Sequence, residues 1–264
     1  MAVDPRVLTA LPIAAARMQG TKRGIVSDPL AEKLLAGQTQ LLQGVNTGYM
    51  AVRMKLGDEL CLSQHKNGTT QVVSLGAGMD SRAFRLNLPG TRFFEVDMQA
   101  LFQLKQPLVA DTPLRVESRH KVVGVIGEMD LGAALKAQGF DPSKPTTWLM
   151  EGLLPYLTVS ATHNMAADVG ALSAPGSALW GDGFSKTSVG RGMDFHGVPF
   201  ESGFDDYDVM FRKVGFDDSK AYNMDGVTLD RYSGSVNINP RYVVTPERAR
   251  GREMCVMVRA FKTR

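Results

Sequence analysis

The chain has 264 residues, of which 44% are hydrophobic and 22% charged, with 30 lysines and arginines against 27 aspartates and glutamates. These proportions belong to a folded globular protein and exclude a disordered or collagen-like one. No apolar run reaches the roughly 18 residues a membrane span needs, and the basic residues form no stripe of the kind nucleic acid selects, so neither a membrane nor a nucleic acid is expected as a partner. Cys61 and Cys255 lack metal-ligand spacing and read as free thiols in a reducing compartment, with no metal site. Val7 to Ala16 ends in Ala14-Ala15-Ala16 and faintly resembles a secretory segment. Asp4 and Pro5 precede it, Pro12 interrupts it and Arg6 is its one basic residue, so a cytoplasmic location is expected.

In chain order, the section to about Ser63 reads as helical. Asp28-Pro29-Leu30 places a cap and a proline before an amphipathic Ala31–Leu35, and Met50, Met54, Leu56, Leu60 and Leu62 recur at mostly helical spacing. From Gln71 the register changes. Short strands are predicted at Val72–Leu75, Arg92–Val96, Lys121–Val125, Thr146–Met150 and Ser177–Trp180, separated by helices at Met98–Leu108, Leu131–Gln138 and Val159–Leu172. This alternation predicts an α/β fold with a mostly parallel, doubly wound sheet. Gly183 to Gly203 reads as a long loop, rich in Gly, Asp and Ser, with Phe184, Phe195, Phe200 and Phe204 in or beside it. A helix over Asp206–Val214 and a final strand over Met254–Phe261 follow.

In such a sheet, ligands bind beyond the carboxyl ends of the strands. Gly76-Ala77-Gly78 ends the first predicted strand and would let a ligand approach the backbone. Asp97 ends the second and could accept from both hydroxyls of a ribose, so the pair points to an adenosine-containing cofactor, or else to a tight turn with a capping aspartate. A dinucleotide fingerprint wants a third glycine where this chain has Ser81, and Asp80 would repel a pyrophosphate. S-adenosylmethionine (SAM), with a sulfonium and an ammonium against one carboxylate, tolerates acidic neighbours. The charges favour SAM over NAD.

The run from Val72 through Gly76-Ala77-Gly78-Met79-Asp80-Ser81-Arg82 to Leu86 resembles the first motif of the leucine carboxyl methyltransferase superfamily, in its bacterial small-molecule branch. Phe94-Glu95-Val96-Asp97 with Lys105 is similar to the second motif, and Gly139 through Glu151-Gly152-Leu153-Leu154-Pro155-Tyr156-Leu157 is the most distinctive stretch. Thr9-Ala10, Arg17, Asp28-Pro29-Leu30 and Val52-Arg53 leading to Asp58 fit as well. The resemblance covers residues 7–182 and implies a class I SAM-dependent methyltransferase: a Rossmann-like doubly wound sheet with an antiparallel last strand, a helical N-terminal cover (1–65), a SAM-binding core (70–182) and a lid and acceptor region (183–264), all in one domain.

For the site, the resemblance implies that Arg53 pairs with the methionyl carboxylate of SAM, with Arg17 as a second candidate. It also implies that Gly76, Ala77 and Gly78 contact the cofactor, that Asp97 binds ribose, that Asp130 and Leu131 meet adenine, and that Glu151 accepts from the ammonium. Arg82 and Arg85 are read as structural ties to nearby acidic groups. The acceptor is expected to be a small molecule, with a carboxylate ahead of a hydroxyl because base candidates are few. His65, His120 and His163 lie in turn, strand-entry and helix contexts. His196, the one histidine in the expected lid, is the candidate base for a hydroxyl acceptor, and Tyr156 and Arg191 are candidate acceptor contacts. A non-enzymatic SAM-binding module and a nucleic-acid methyltransferase are the competing readings, and Glu151 to Tyr156 is not the amide-binding loop the latter would want.

Overall fold

Parallel strands need cover on both faces of the sheet. The computed structural model of the chain describes residues 4–35, 37–38, 46–229, 236–238 and 242–264 and shows that cover. Helices α1 (Pro5–Leu8), α2 (Ala10–Lys22), α3 (Ala31–Leu34) and α4 (Thr47–Lys66) come first. Then β1 (Gln71–Leu75), α5 (Arg82–Arg85), β2 (Leu88–Asp97), α6 (Gln99–Val109), β3 (Val116–Val123), α7 (Leu131–Ala137), β4 (Thr146–Met150), α8 (Val159–Ala171) and β5 (Ala178–Phe184) alternate. After them come α9 (Lys186–Gly190), the hairpin β6 (Asp194–Phe195) and β7 (Val198–Pro199), α10 (Tyr207–Lys213) and β8 (Asp218–Asn223). The pair β9 (Val227–Leu229) and β10 (Val236–Ile238), α11 (Pro246–Ala249) and β11 (Cys255–Phe261) complete the order.

The seven-stranded sheet runs β3-β2-β1-β4-β5-β11-β8. Its first five strands are parallel, and β11 is antiparallel to both β5 and β8. The fold is therefore the expected α/β class with a mostly parallel sheet and an antiparallel last strand. Side chains alternate across it: Val73, Phe94 and Trp148 join α7, α8 and α10 on one face, while Val72, Phe93 and Leu149 join α2 and α4 on the other. Both tryptophans are buried with their indole donors satisfied, Trp148 by Ser173 Oγ at 2.8 Å and Trp180 by the Arg53 carbonyl at 3.2 Å. The second bond ties α4 to β5 at the residue expected to hold a carboxylate.

Several expectations need correction. The short helix starts at Ala31, and Asp28 instead turns the chain before it, accepting from the Leu30 N–H at 3.1 Å. The third strand stops at Val123, so Gly124 and Val125 lie beyond it, while the fifth runs on to Phe184. The expected long loop contains α9 and the β6–β7 hairpin, and β8 was not anticipated. Residues 230–235 and 239–241 of the expected acceptor region lie outside the described residues. The apolar stretch from Val7 packs into the body of the protein, with Leu11, Ala14, Ala15 and Ala16 almost fully buried. Among the described residues no helix is long and apolar enough to cross a membrane.

Candidate active site

The carboxyl ends of β1, β2, β4 and β5 open into one cavity of about 1400 Å³, counting the space open to solvent. The floor is the turn Gly76-Ala77-Gly78. Gly76 and Gly78 have φ of +63° and +47°, which glycine adopts without the steric cost a side chain would bring. A Cβ on Gly76 would also come within 3.1 Å of Leu153 Cδ1. The turn is pinned to the end of β2: Gly76 N–H donates to the Val96 carbonyl at 2.9 Å, and Gly78 N–H donates to Asp97 Oδ2 at 2.8 Å. Asp97 Oδ1 accepts from Met98 N–H at 2.7 Å. Each carboxylate oxygen keeps a further lone pair for a ligand. Burial pushes the Asp97 pKa up against the opposing pull of those two N–H groups. The helix after the turn, α5, has four residues, too short to offer a pyrophosphate the dipole that dinucleotide folds use.

The second wall is charged. Arg53, on α4, is buried and donates from Nη1 to Asp182 Oδ2 at 2.9 Å, while its Nε is buried with no protein partner. One guanidinium N–H is thus left without the hydrogen bond that buried donors usually make. Asp182, near the end of β5, also accepts from the Tyr49 hydroxyl in a short bond and from Gly152 N–H at 2.6 Å. Gly152 has φ of +70°, and a Cβ there would sit 3.0 Å from Arg53 Nη1. Arg17, on α2, donates to the Met79 carbonyl, and its buried Nε lies 3.8 Å from Asp28 Oδ2, an ion pair too long to be a hydrogen bond.

Glu151 follows β4 and is held from behind. Arg82 Nη2 donates to its Oε1 at 2.8 Å, and the same guanidinium binds Asp58 at 2.7 Å and Asp80 at 2.9 Å. Arg85 completes the cluster through Asp58 at 2.6 and 2.7 Å. Burial raises the Glu151 pKa, with Arg82 and Arg53 opposing. The lining carries four carboxylates, Asp80, Asp97, Glu151 and Asp182, against the three guanidinium groups of Arg6, Arg17 and Arg53. Tyr156, Phe184, Phe195 and Phe200 also line the cavity, and the contacts of Phe200 with Phe184 and Tyr156 make an aromatic end.

Of the residues singled out in the sequence, Arg17, Arg53, Gly76, Ala77, Gly78, Asp97, Glu151 and Tyr156 line this cavity. Four do not. Asp130 is exposed and caps α7, accepting from Ala133 N–H at 2.8 Å, and Leu131 is buried in the core. Because β3 ends at Val123, the lining residues that follow it are Gly124, Val125 and Ile126. His196 stands exposed with φ of +52° in the turn between β6 and β7. Arg191 is exposed and paired with Glu253. The other histidines are also elsewhere: His65 beside Thr91, His120 stacked on Phe94 and His163 against Phe204. Among the polar lining residues, Asp182, Tyr49 and Arg6 are ones that sequence reasoning did not single out as cavity residues.

The leucine carboxyl methyltransferase family matches residues 7–170. A Saccharopolyspora erythraea protein named as an S-adenosyl-L-methionine-dependent methyltransferase is 35% identical over 218 residues, covering 72% of this chain and 76% of its own. A Mycobacterium avium protein of the same name is 36% identical over 196 residues, covering 65% and 64%. The chain thus spans about two thirds to three quarters of the length of these relatives. Two crystal structures share the fold at 14% identity and a TM-score of 0.54. One is a Thermobifida fusca protein named as a methyltransferase, covering 96% of this chain and 94% of its own. The other is a DUF574 family protein from Streptomyces avermitilis, covering 94% and 96%. The chain belongs to the leucine carboxyl methyltransferase family, an enzyme family in which it is a SAM-dependent methyltransferase with SAM as its cofactor.

Proposed function

We propose that the protein transfers the methyl group of SAM to the carboxylate of a small-molecule acceptor, forming a methyl ester. The observation that carries this reading is that all four histidines lie outside the cavity lining. A carboxylate with a pKa near 4 is ionised at neutral pH and needs no base, whereas a phenol with a pKa near 10 does. Tyr156 supports the same reading. Burial pushes its hydroxyl up to about 12, so at neutral pH it is a donor that suits a carboxylate oxygen.

SAM supplies a methyl group already activated on a sulfonium, so the residues have mainly to align it with the acceptor oxygen. Asp97 accepts from the ribose hydroxyls with the lone pairs its backbone partners leave. Arg53 grips the methionyl carboxylate, its unpartnered Nε donating, with Arg17 as second donor, and Glu151 accepts from the ammonium with the oxygen Arg82 leaves open. Gly124, Val125 and Ile126 replace Asp130 and Leu131 as the surface for adenine. The helices before β1 act as cover and the residues after β5 as acceptor wall of one methyltransferase domain. Orientation of this kind supplies roughly 7–11 kcal/mol of a transfer barrier.

Asp97 sets an acid limit on cofactor binding. Its raised pKa means that it takes up a proton earlier than an exposed aspartate as pH falls, and the protonated form accepts less well. Affinity for S-adenosylhomocysteine (SAH) measured by calorimetry is expected to weaken as pH falls, beginning above the ordinary carboxylate range near pH 4. Constant affinity down to pH 4 would remove Asp97 from the ribose.

The pH dependence of transfer tests the acceptor. With an acid found by mass-spectrometric screening, single-turnover transfer at saturating SAM is expected to be flat from about pH 6 to 9. His196→Ala is expected to leave it unchanged. A rate that climbs through a pKa near 6–7, or falls roughly a hundredfold in His196→Ala, would replace the carboxylate with a base-activated hydroxyl.

A further inference from the structure

Of the twelve phenylalanines in the chain, eight are buried and four are partly exposed, and three of those four, Phe184, Phe195 and Phe200, line the cavity. Aromatic side chains usually fill cores, where they bury their whole surface. Here the core phenylalanines do so, and three of the incompletely buried ones line one cavity, Phe184 from the end of β5 and Phe195 and Phe200 from the β6–β7 region that follows it. They are ordered relative to one another. Phe184 and Phe200 are stacked, with centroids 5.0 Å apart and planes 20° from parallel, and Tyr156 meets Phe200 edge-on at 5.3 Å and 82°. Its hydroxyl, beside Thr9, puts a polar atom at the rim of this apolar wall.

We propose that this end of the cavity is the acceptor subsite and that it takes a planar aromatic ring, stacked or edge-on against Phe184, Phe195 and Phe200. Ring faces carry negative charge density and ring edges positive, so a flat unsaturated ligand gains on such a wall beyond the area it buries, and a puckered saturated ring of equal carbon number does not. The inference rests on the reading that this cavity binds a methyl acceptor, and it adds the acceptor's shape. Combined with the carboxylate reading it names an aromatic carboxylic acid.

Four seven-carbon probes separate the two ideas: benzoate, cyclohexanecarboxylate, benzyl alcohol and cyclohexylmethanol, each titrated by calorimetry or ligand-observed NMR into the full-length protein saturated with SAH. Each planar probe is expected to bind roughly fivefold or more tightly than its saturated partner, the scale of one aromatic pairing. Phe200→Leu and Phe184→Leu keep an apolar side chain, and unchanged SAH affinity in them establishes that they are folded. Both are expected to close the gap between planar and saturated probes. Equal affinity within each pair, no binding by either planar probe, or a planar preference that survives in both variants would overturn the proposal. Benzyl alcohol bound more tightly than benzoate, with the planar preference intact, would support the aromatic subsite while counting against the carboxylate.

Discussion

Arg82→Met is expected to destabilise the protein by about 3–5 kcal/mol, the cost of removing one partner from a buried ionic cluster. Thermal melting should show it as a fall of several degrees for each kcal/mol, about 2–4 °C in a chain approaching this size. The size follows from the company Arg82 keeps. Its guanidinium is almost fully buried and bonds Asp58, Asp80, Glu151 and the Met54 carbonyl at once. Burial works to raise the Asp80 pKa, and Arg82, aided by Lys105 and Arg17, overrides it and holds the carboxyl well below its usual range. In the wild type, Asp80 therefore adds stability at neutral pH that is lost as pH falls below the ordinary carboxylate range. Without Arg82 burial dominates, the folded pKa rises above the unfolded one, and the variant should gain stability on acidification from pH 7 to 5. A loss under about 1 kcal/mol, well short of the cost of breaking a buried ion pair, would show that Asp80 and Glu151 find other partners.

Arg53→Met should weaken SAM and SAH binding by about 2–4 kcal/mol, roughly 30- to 1000-fold in Kd, on the scale measured for truncating one member of a desolvated charge pair. Arg53→Lys is the sharper variant. A lysine keeps a cation against Asp182, so the Tyr49–Asp182–Gly152 junction retains its counter-charge and the fold should survive. It cannot offer two parallel N–H groups to a carboxylate, and most of the loss seen in the methionine variant is expected to remain. Full affinity in the lysine variant would reduce Arg53 to a point charge. Full affinity in the methionine variant would move the methionyl carboxylate elsewhere, with Arg17 the next donor to test.

The parts of this architecture legible in the sequence are those fixed by local demands. Gly76 and Gly78 are required by positive φ, and the short runs Val72–Leu75 and Thr146–Met150, dominated by apolar and β-branched residues, read as buried strands, so strand, turn and the aspartate ending the next strand could be placed without tertiary knowledge. Asp182 could not. Gly181-Asp182-Gly183 reads as the end of a strand, yet β5 continues because β11 pairs with it, Met257 opposite Asp182 and Val258 opposite Gly181. The glycines there serve close packing: a Cβ on Gly183 would strike the Tyr207 ring, and one on Gly181 would lie 3.1 Å from the Met150 carbonyl. Asp130 misleads for a different reason. An acid before an apolar run is what a helix N-cap requires, and sequence alone does not separate that demand from a ligand contact. His196 and Arg191 stand out by residue type in a stretch with no clear periodicity, and α9 and the β6–β7 hairpin leave both exposed.

The transferred methyl is expected to end on a carboxylate oxygen. Incubation with SAM tritiated on the methyl group, a panel of aromatic and aliphatic acids and their alcohol counterparts, followed by mild alkali, separates the two chemistries, because methyl esters hydrolyse to volatile methanol and methyl ethers do not. Enzyme-dependent label that becomes volatile on alkaline treatment is the predicted result. Label that is incorporated and stays with the acceptor through alkali would contradict it and make the protein a hydroxyl methyltransferase.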